Sequence, residues 1–342
     1  MKKIRLGRTN LMVGASSFGA LPVQRLSKVE AAKLLRQAYE LGMNYFDTAH
    51  GYSDSEEKIG LGLSDVRKDI IISTKSPAKD KKTLLEQVQL SLERMKTDYI
   101  DILQLHNPDV LPDTEDPDSI YGGMLEAQKK GWVRYIGITN HSLERAMTAV
   151  KSGKYDTIQF PFSSLATDAE IELVNVAKQM DVGFIAMKGL SGGLITNAAT
   201  TFSFIKQFDN VVPIWGIQRE SELLEFIEME KNPPTYDDAM KALIEKDRKE
   251  LAGNFCRGCG YCKPCPANID IQNMARMSLL LRRSPYQRYM TEEFKAQMLN
   301  IENCLHCNAC MSRCPYHLNT PELLQENLKD YLQFYEEHHE EI

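Results

Sequence analysis

Two stretches of this 342-residue sequence carry side chains whose types and spacing could do chemistry, and they lie far apart. One is CRGCGYCKPCP, where Cys256, Cys259, Cys262 and Cys265 recur at every third position before Pro266. It is answered by Cys304, Cys307, Cys310 and Cys314, the last followed by Pro315. The chain has eight cysteines, so the two motifs account for all of them. Three thiolates at this spacing can wrap three corners of an iron–sulfur cubane, and a later Cys-Pro serves as the fourth corner of the partner cluster. By that rule Cys256, Cys259, Cys262 and Cys314 hold one [4Fe–4S] cluster, and Cys304, Cys307, Cys310 and Cys265 hold another. One departure is that two residues, where three are usual, separate Cys262 from Cys265. The competing reading is a pair of Cys₄ zinc sites, but these usually show two well-separated C-x₂-C pairs rather than an unbroken triad.

The other stretch is NYFDTAHGYSDSE, residues 44–56, with Asp47 at the end of one apolar run and Tyr52 in the loop after it. Lys75 closes the next run, IIISTK, and His106 closes DILQLH. Each residue alone has a plain structural reading as a helix cap, a loop surface or a core histidine. Four polar residues at consecutive run ends point instead to one site. A tyrosine titrates near pH 10, too weak an acid for neutral chemistry. A neighbouring Lys75 ammonium is expected to lower that value, with Asp47 keeping the lysine charged and placed. His106 could hydrogen-bond a substrate oxygen, so the group could polarise a carbonyl and protonate it as hydride arrives. His50, in the same loop, reads as a loop residue.

These residues need a scaffold that brings run ends together. Short apolar runs alternate with helix-like segments from residue 16 to about 230: Ala15–Phe18, Tyr45–Phe46, Ile70–Ser73, Ile100–Leu105, Tyr135–Ile138, Thr157–Phe160, Phe184–Met187 and Val211–Ile214. Ser27 and Glu30 form a capping box ahead of a helix with Ala31, Leu34, Leu35 and Ala38 on one face, and Thr83–Met95 repeats the pattern. Eight strands, most followed by a helix, predict a closed (β/α)₈ TIM barrel of the α/β class. No G-x-G-x-x-G follows the first strand, which weighs against a doubly wound sheet. The pattern breaks at Asn232-Pro233-Pro234, so residues 1–235 are expected to form the barrel and 236–342 a small alpha-helical ferredoxin-like domain. Helices are predicted over Tyr236–Ala252, Ile269–Leu281 and Glu292–Leu299.

Composition narrows the classes. With 26% charged residues and a net charge of −6, general nucleic-acid binding is not expected. No run is long and apolar enough to span a bilayer, and MKKIRLGRTNLMVG has no apolar region behind its lysines. A reducing, cytoplasmic location is expected, with the cysteines binding metal rather than forming disulfides.

The chain resembles the aldo-keto reductase family from Lys3 to about Ile227, through FDTA, KKGWVRYIGITN and GIQRESELLE. With its cysteines it looks like the members fused to a ferredoxin domain. The resemblance places the family's Asp-Tyr-Lys-His tetrad on Asp47, Tyr52, Lys75 and His106. It implies that Thr139, Asn140 and Gln159 hold a nicotinamide carboxamide, and that Met187 stands where an aromatic residue commonly stacks on the ring. Gly216 is placed at the cofactor too, Arg219 near an adenosine 2′-phosphate and Glu225 near the adenine. Gln218 and Phe226 depart from the usual residues. The implied activity is reduction of an aldehyde or ketone, or the reverse alcohol oxidation, with NADP(H) favoured and NAD(H) the alternative. A hydride carries two electrons and each cluster accepts one, and no flavin motif is visible to divide the pair. The clusters are then structural, or an electron-transfer protein serves them. The competing function is an electron-transfer or redox-sensing protein whose barrel does not turn over NAD(P)H.

Overall fold

The computed structural model describes residues 1–251, 255–283 and 286–339. They form two compact units, one of residues 1–189 with 202–236, the other of residues 190–201 with 237–342.

The first unit opens with an antiparallel pair, β1 (Lys3–Arg5) and β2 (Met12–Gly14). The strands that follow are β3 (Ser17–Gly19), β4 (Tyr45–Asp47), β5 (Ile71–Ser76) and β6 (Ile100–His106). Four more complete the set: β7 (Val133–Thr139), β8 (Thr157–Pro161), β9 (Gly183–Met187) and β10 (Val211–Gly216). Strands β3 to β10 pair in chain order, and β10 pairs back onto β3, so the sheet is a closed barrel. Every pair is parallel, including Ile214 against Ser17 at the closure. This is the (β/α)₈ barrel that the eight apolar runs predict, and closure rules out the doubly wound alternative.

Period-two alternation explains how the interior is layered. Tyr45, Ile71, Ile102, Ile185, Val212 and Ile214 form one buried cluster with Leu6, Leu11 and Val13. The last three come from the β1–β2 hairpin, which the apolar runs alone did not reveal because its strands are three residues each. Two positions further along the same strands stand Asp47, Ser73 and Gln104. The lower interior is thus hydrocarbon and the upper interior polar.

The helices have the caps that the sequence signals. Ser27 and Glu30 make the reciprocal capping box of helix Lys28–Glu40. Asp80 accepts from the Thr83 amide at 2.9 Å and starts the second expected helix at Lys81.

In the second unit, Asp237 caps helix Asp238–Glu250 by accepting from the Met240 amide at 2.9 Å. The predicted helix was longer at both ends, and its last residue, Ala252, lies outside the described residues. The stretch predicted as Ile269–Leu281 divides into Ile271–Met274 and Met277–Arg283, while Glu292–Leu299 is helical as predicted. The helix Thr320–His338 was not anticipated. Its Leu324, Leu328, Tyr331 and Tyr335 are buried along one face. Tyr331 Oη donates to the Tyr289 carbonyl at 2.7 Å and Tyr335 Oη to Glu292 at 2.6 Å. No described helix is long and apolar enough to cross a membrane.

Leu6 is fully buried where the hairpin meets the barrel interior. Leu6→Ala should lower stability by about 2–5 kcal/mol, the usual cost of such a cavity. Urea unfolding followed by tryptophan fluorescence measures it.

Candidate active site and cluster motifs

In a closed parallel barrel all strand C-termini meet at one end. Asp47, His106, Thr139, Met187 and Gly216 are the last residues of β4, β6, β7, β9 and β10, and Lys75 is next to last in β5. The register carries the set around the rim, with Asp47 opposite Ser73, His106 opposite Thr139, and Thr139 opposite Gln159.

Lys75 Nζ lies 2.6 Å from Asp47 Oδ2, and both side chains are almost wholly buried. The ammonium also donates to the Thr48 carbonyl at 2.5 Å. Asp47 Oδ1 accepts from Ser73 Oγ at 2.6 Å, and Ser73 in turn meets Tyr45 Oη at 2.9 Å. Gln104 Nε2 donates to Gln159 Oε1 at 2.8 Å and reaches Asp47 Oδ1 at 3.4 Å. Ser73 and Gln104 were not singled out from sequence. Their signal was the period-two alternation that puts them on the same strand face as Lys75 and His106.

Tyr52 comes from the loop after β4. Its ring centroid is 5.2 Å from Lys75 Nζ and 5.7 Å from the His106 ring, edge to face. The loop is held by backbone bonds, from the Tyr52 amide to the Ala49 carbonyl and from the Ser55 amide to the Tyr52 carbonyl. Beside it, buried Glu56 accepts from Thr74 Oγ1 at 2.6 Å and from Arg94 at 3.2 Å. His50, read from sequence as a loop residue, is half-buried with Nδ1 3.8 Å from Glu56.

The charges correct one expectation. Lys75 was expected to bring the Tyr52 hydroxyl down. Instead, burial and then the Asp47 carboxylate push it above its ordinary value. The ammonium lies toward the ring, and its charge is matched by the carboxylate it touches. Lys75 itself is lowered by burial, opposed by Asp47 and Glu56. Burial, then the Lys75 charge, lowers His106 to about 3. At neutral pH the rim therefore holds a protonated phenol, a neutral imidazole and an internal ion pair.

The remaining rim residues differ in how committed they are. Asn140 Oδ1 accepts from the Ser142 amide at 2.8 Å and its Nδ2 donates to the Pro108 carbonyl at 3.2 Å. Thr139 Oγ1 accepts from the Asn107 amide at 3.1 Å. Among the described residues Gln159 Nε2 meets only the weak acceptor Met187 Sδ, at 3.7 Å, which leaves amide donor capacity unspent. Arg219 stands at the N-cap position of helix Glu220–Lys231 with its side chain largely exposed, and Glu225 is exposed on that helix. The Glu222 carboxylate accepts from the Gln218 and Arg219 amides at 2.9 and 3.1 Å. Phe226 is turned inward, stacked on Trp215 with centroids 4.4 Å apart.

The two cysteine motifs share one backbone course. Gly258 and Gly260 have positive φ, and so do His306 and Asn308 at the matching places of the second motif. Three residues past the last cysteine of each motif, Asn268 and His317 are also left-handed. Their amides donate to the Cys265 and Cys314 carbonyls at 3.0 and 3.2 Å. Around this repeat are two small cavities of about 20 Å³ each. The first is lined by Cys256, Cys259, Cys262 and Cys314. The second is lined by Cys262, Cys265, Cys304, Cys307 and Cys310. Among the described residues no three thiol, imidazole or carboxylate groups converge as ligands of a single ion. Thiols spread around a cavity suit a multi-iron cluster better than zinc, whose four donors must lie about 2.3 Å from one point. Burial pushes the Cys262 thiol up to about 12, with the neighbouring Cys256 and Cys259 adding to it. A metal that takes the thiolate would reverse this.

Barrels closed in this way carry their chemistry at the strand C-termini. The chain belongs to the aldo/keto reductase family, which it matches over residues 10–243. Residues 255–319 match a 4Fe-4S dicluster domain. "Aldo-keto reductase YhdN" of Bacillus subtilis is 28% identical over 210 residues, 57% of this chain and 61% of that protein. The "NADH-specific methylglyoxal reductase" of Escherichia coli is 26% identical over 259 residues, 67% of this chain and 78% of that one. Among solved structures, an aldo-keto reductase from Klebsiella pneumoniae in complex with NADPH superposes with a TM-score of 0.63 at 18% identity. That likeness covers 72% of this chain and 94% of the other.

An imidazole held near 3 stays neutral where an ordinary histidine, near 6.5, gains its proton. Between those values the unfolded chain binds a proton that the native chain does not, so His106 makes stability fall as pH drops through this window. Imidazole ¹⁵N shifts should show no His106 titration at pH 6.5.

Proposed function

We propose that the barrel reduces a small aldehyde or ketone, or oxidises the corresponding alcohol, with NAD(P)H. The observation that carries this reading is the buried Asp47–Lys75 pair with the Tyr52 and His106 rings beside it. A bound reduced nicotinamide would supply the hydride. Tyr52, protonated at neutral pH, gives its proton to the carbonyl oxygen as the carbon receives that hydride. The C=O double bond becomes C–H and O–H, and the phenolate left behind regains its proton from water before the next turnover. Neutral His106 offers an N–H to the same oxygen. Asp47, anchored by Ser73, positions the ammonium.

In this reading Thr139, Asn140 and Gln159 hold the carboxamide, Met187 covers the nicotinamide, and Gly216, Arg219 and Glu225 line the rest of the dinucleotide. The unspent Gln159 amide donor supports the first assignment. Two cations support a 2′-phosphate and thus NADP(H): Arg219, and Arg25, which donates to Gln218 at 3.0 Å. Glu222 sets a negative charge at the same turn, so NAD(H) is the alternative. The named relatives divide the same way, one in complex with NADPH and one NADH-specific.

In the C-terminal unit, the two cavities and their cysteines support two [4Fe–4S] clusters with the exchanged ligand sets given above. When held, they would accept and release single electrons, through an electron-transfer protein as partner if they turn over. A cytoplasmic chain without nucleic-acid or membrane partners completes the reading.

Tyr52→Phe should lower the rate of carbonyl reduction by roughly 10²–10⁴-fold with little change in dinucleotide affinity. A stopped-flow assay of NADPH oxidation measures it, and an unchanged rate removes Tyr52 from the chemistry. A wild-type chain that neither binds nor oxidises NAD(P)H turns the assignment to an electron-transfer or redox-sensing protein. Anaerobically purified protein should contain about eight iron and eight sulfide per chain, two four-iron cubanes. Stoichiometric zinc without iron refutes the cluster assignment.

A further inference from the structure

Arg276 lies between helices Ile271–Met274 and Met277–Arg283 of the second unit, next in sequence to Ala275, which lines the first cysteine cavity. Two left-handed glycines bracket its guanidinium. A Cβ on Gly258, inside CRGC, would stand 2.8 Å from Nη1, and one on Gly192 would stand 2.7 Å from the same atom. A side chain at either place would displace the end of the guanidinium. Nη1 donates to the Gly192 carbonyl at 3.0 Å. Gly192 belongs to LSGGL, residues 190–194, whose Gly-Gly pair suits backbone approach to a pyrophosphate but is also common in plain turns. The structure makes it part of segment 190–201, which packs with the C-terminal unit. Arg276 Nε is buried and has no hydrogen-bond partner among the described residues.

A half-buried cation is costly unless an anion offsets it. The group of opposite sign here is the thiolate set: Nη1 stands against Gly258, between Cys256 and Cys259 in the chain, and Ala275 lines the cavity of those cysteines. A cubane with four thiolate ligands is anionic, and one-electron reduction makes it more so. A fixed cation beside it stabilises the reduced form and raises the potential.

We infer that Arg276 is a positioning residue that ties the cluster of Cys256, Cys259, Cys262 and Cys314 to segment 190–201. Its charge raises that cluster's potential, and its bond to Gly192 makes the segment respond to the cluster's redox state. The inference rests on the ligand set proposed above. It gives CRGC and LSGGL a shared purpose, since each supplies a glycine to the same guanidinium.

The test uses the full chain with both clusters, reduced stepwise with dithionite and followed by electron paramagnetic resonance. Arg276→Gln should make one of the two clusters about tenfold harder to reduce, about 59 mV for one electron, and leave the other unmoved. Arg276→Lys, which keeps the charge, should restore the midpoint. Two unmoved midpoints in Arg276→Gln overturn the inference. If that variant does not retain iron, hydrogen exchange on the wild-type chain decides. Residues 190–201 should differ in protection between the oxidised and reduced protein, and equal protection in both states overturns the inference. A wild-type chain without iron refutes the ligand set itself, whereas two clusters with unmoved midpoints refute only the role of Arg276.

Discussion

Asp47 and Lys75 place opposite charges 2.6 Å apart inside a barrel whose lower interior is hydrocarbon. Neither charge is tolerable there alone. Together, with Ser73, Gln104 and the Thr48 carbonyl as hydrogen-bond partners, they form a polar layer in which Gln104 Oε1 has no partner among the described residues. That requirement organises the upper barrel. It ties β4, β5 and β6 together at their C-termini and holds the chain leaving β4 against β5. Tyr52 is thereby presented over the ion pair.

The same pair governs the protonation of the rim. A lysine whose charge is met by an aspartate does not bring a nearby phenol down, so Tyr52 remains an acid at neutral pH. His106, enclosed and facing the same ammonium, stays neutral. The site therefore suits proton donation coupled to a process that makes an oxygen more basic, and it needs no histidine titration to work.

The C-terminal unit solves a different problem. It is small, and part of its interior is two cysteine-lined cavities rather than packed hydrocarbon. A small domain with a divided core commonly needs a metal to complete it. The long helix Thr320–His338 supplies the apolar face that remains, through Leu324, Leu328, Tyr331 and Tyr335. The repeated left-handed turns at Gly258, Gly260, His306 and Asn308 show that both motifs use one loop conformation.

Much of this was legible in the sequence, for physical reasons. Strand periodicity and helix caps are local, so the eight strands and helices such as Lys28–Glu40 could be read directly. Cysteine spacing is local as well, which is why the two motifs could be written down from the chain alone. The short hairpin and the helix Thr320–His338 were missed; the first is too short for periodicity, and the second carries its apolar face among many charges. What only the tertiary structure decided is everything that depends on enclosure. Closure of β10 on β3 made the strand ends one rim, and burial rather than Lys75 set the state of Tyr52. Packing joined LSGGL to CRGC, some sixty residues apart, through Arg276. Sequence specifies which groups exist and their local conformation, but desolvation and charge coupling depend on which groups the fold brings within a few ångströms of one another.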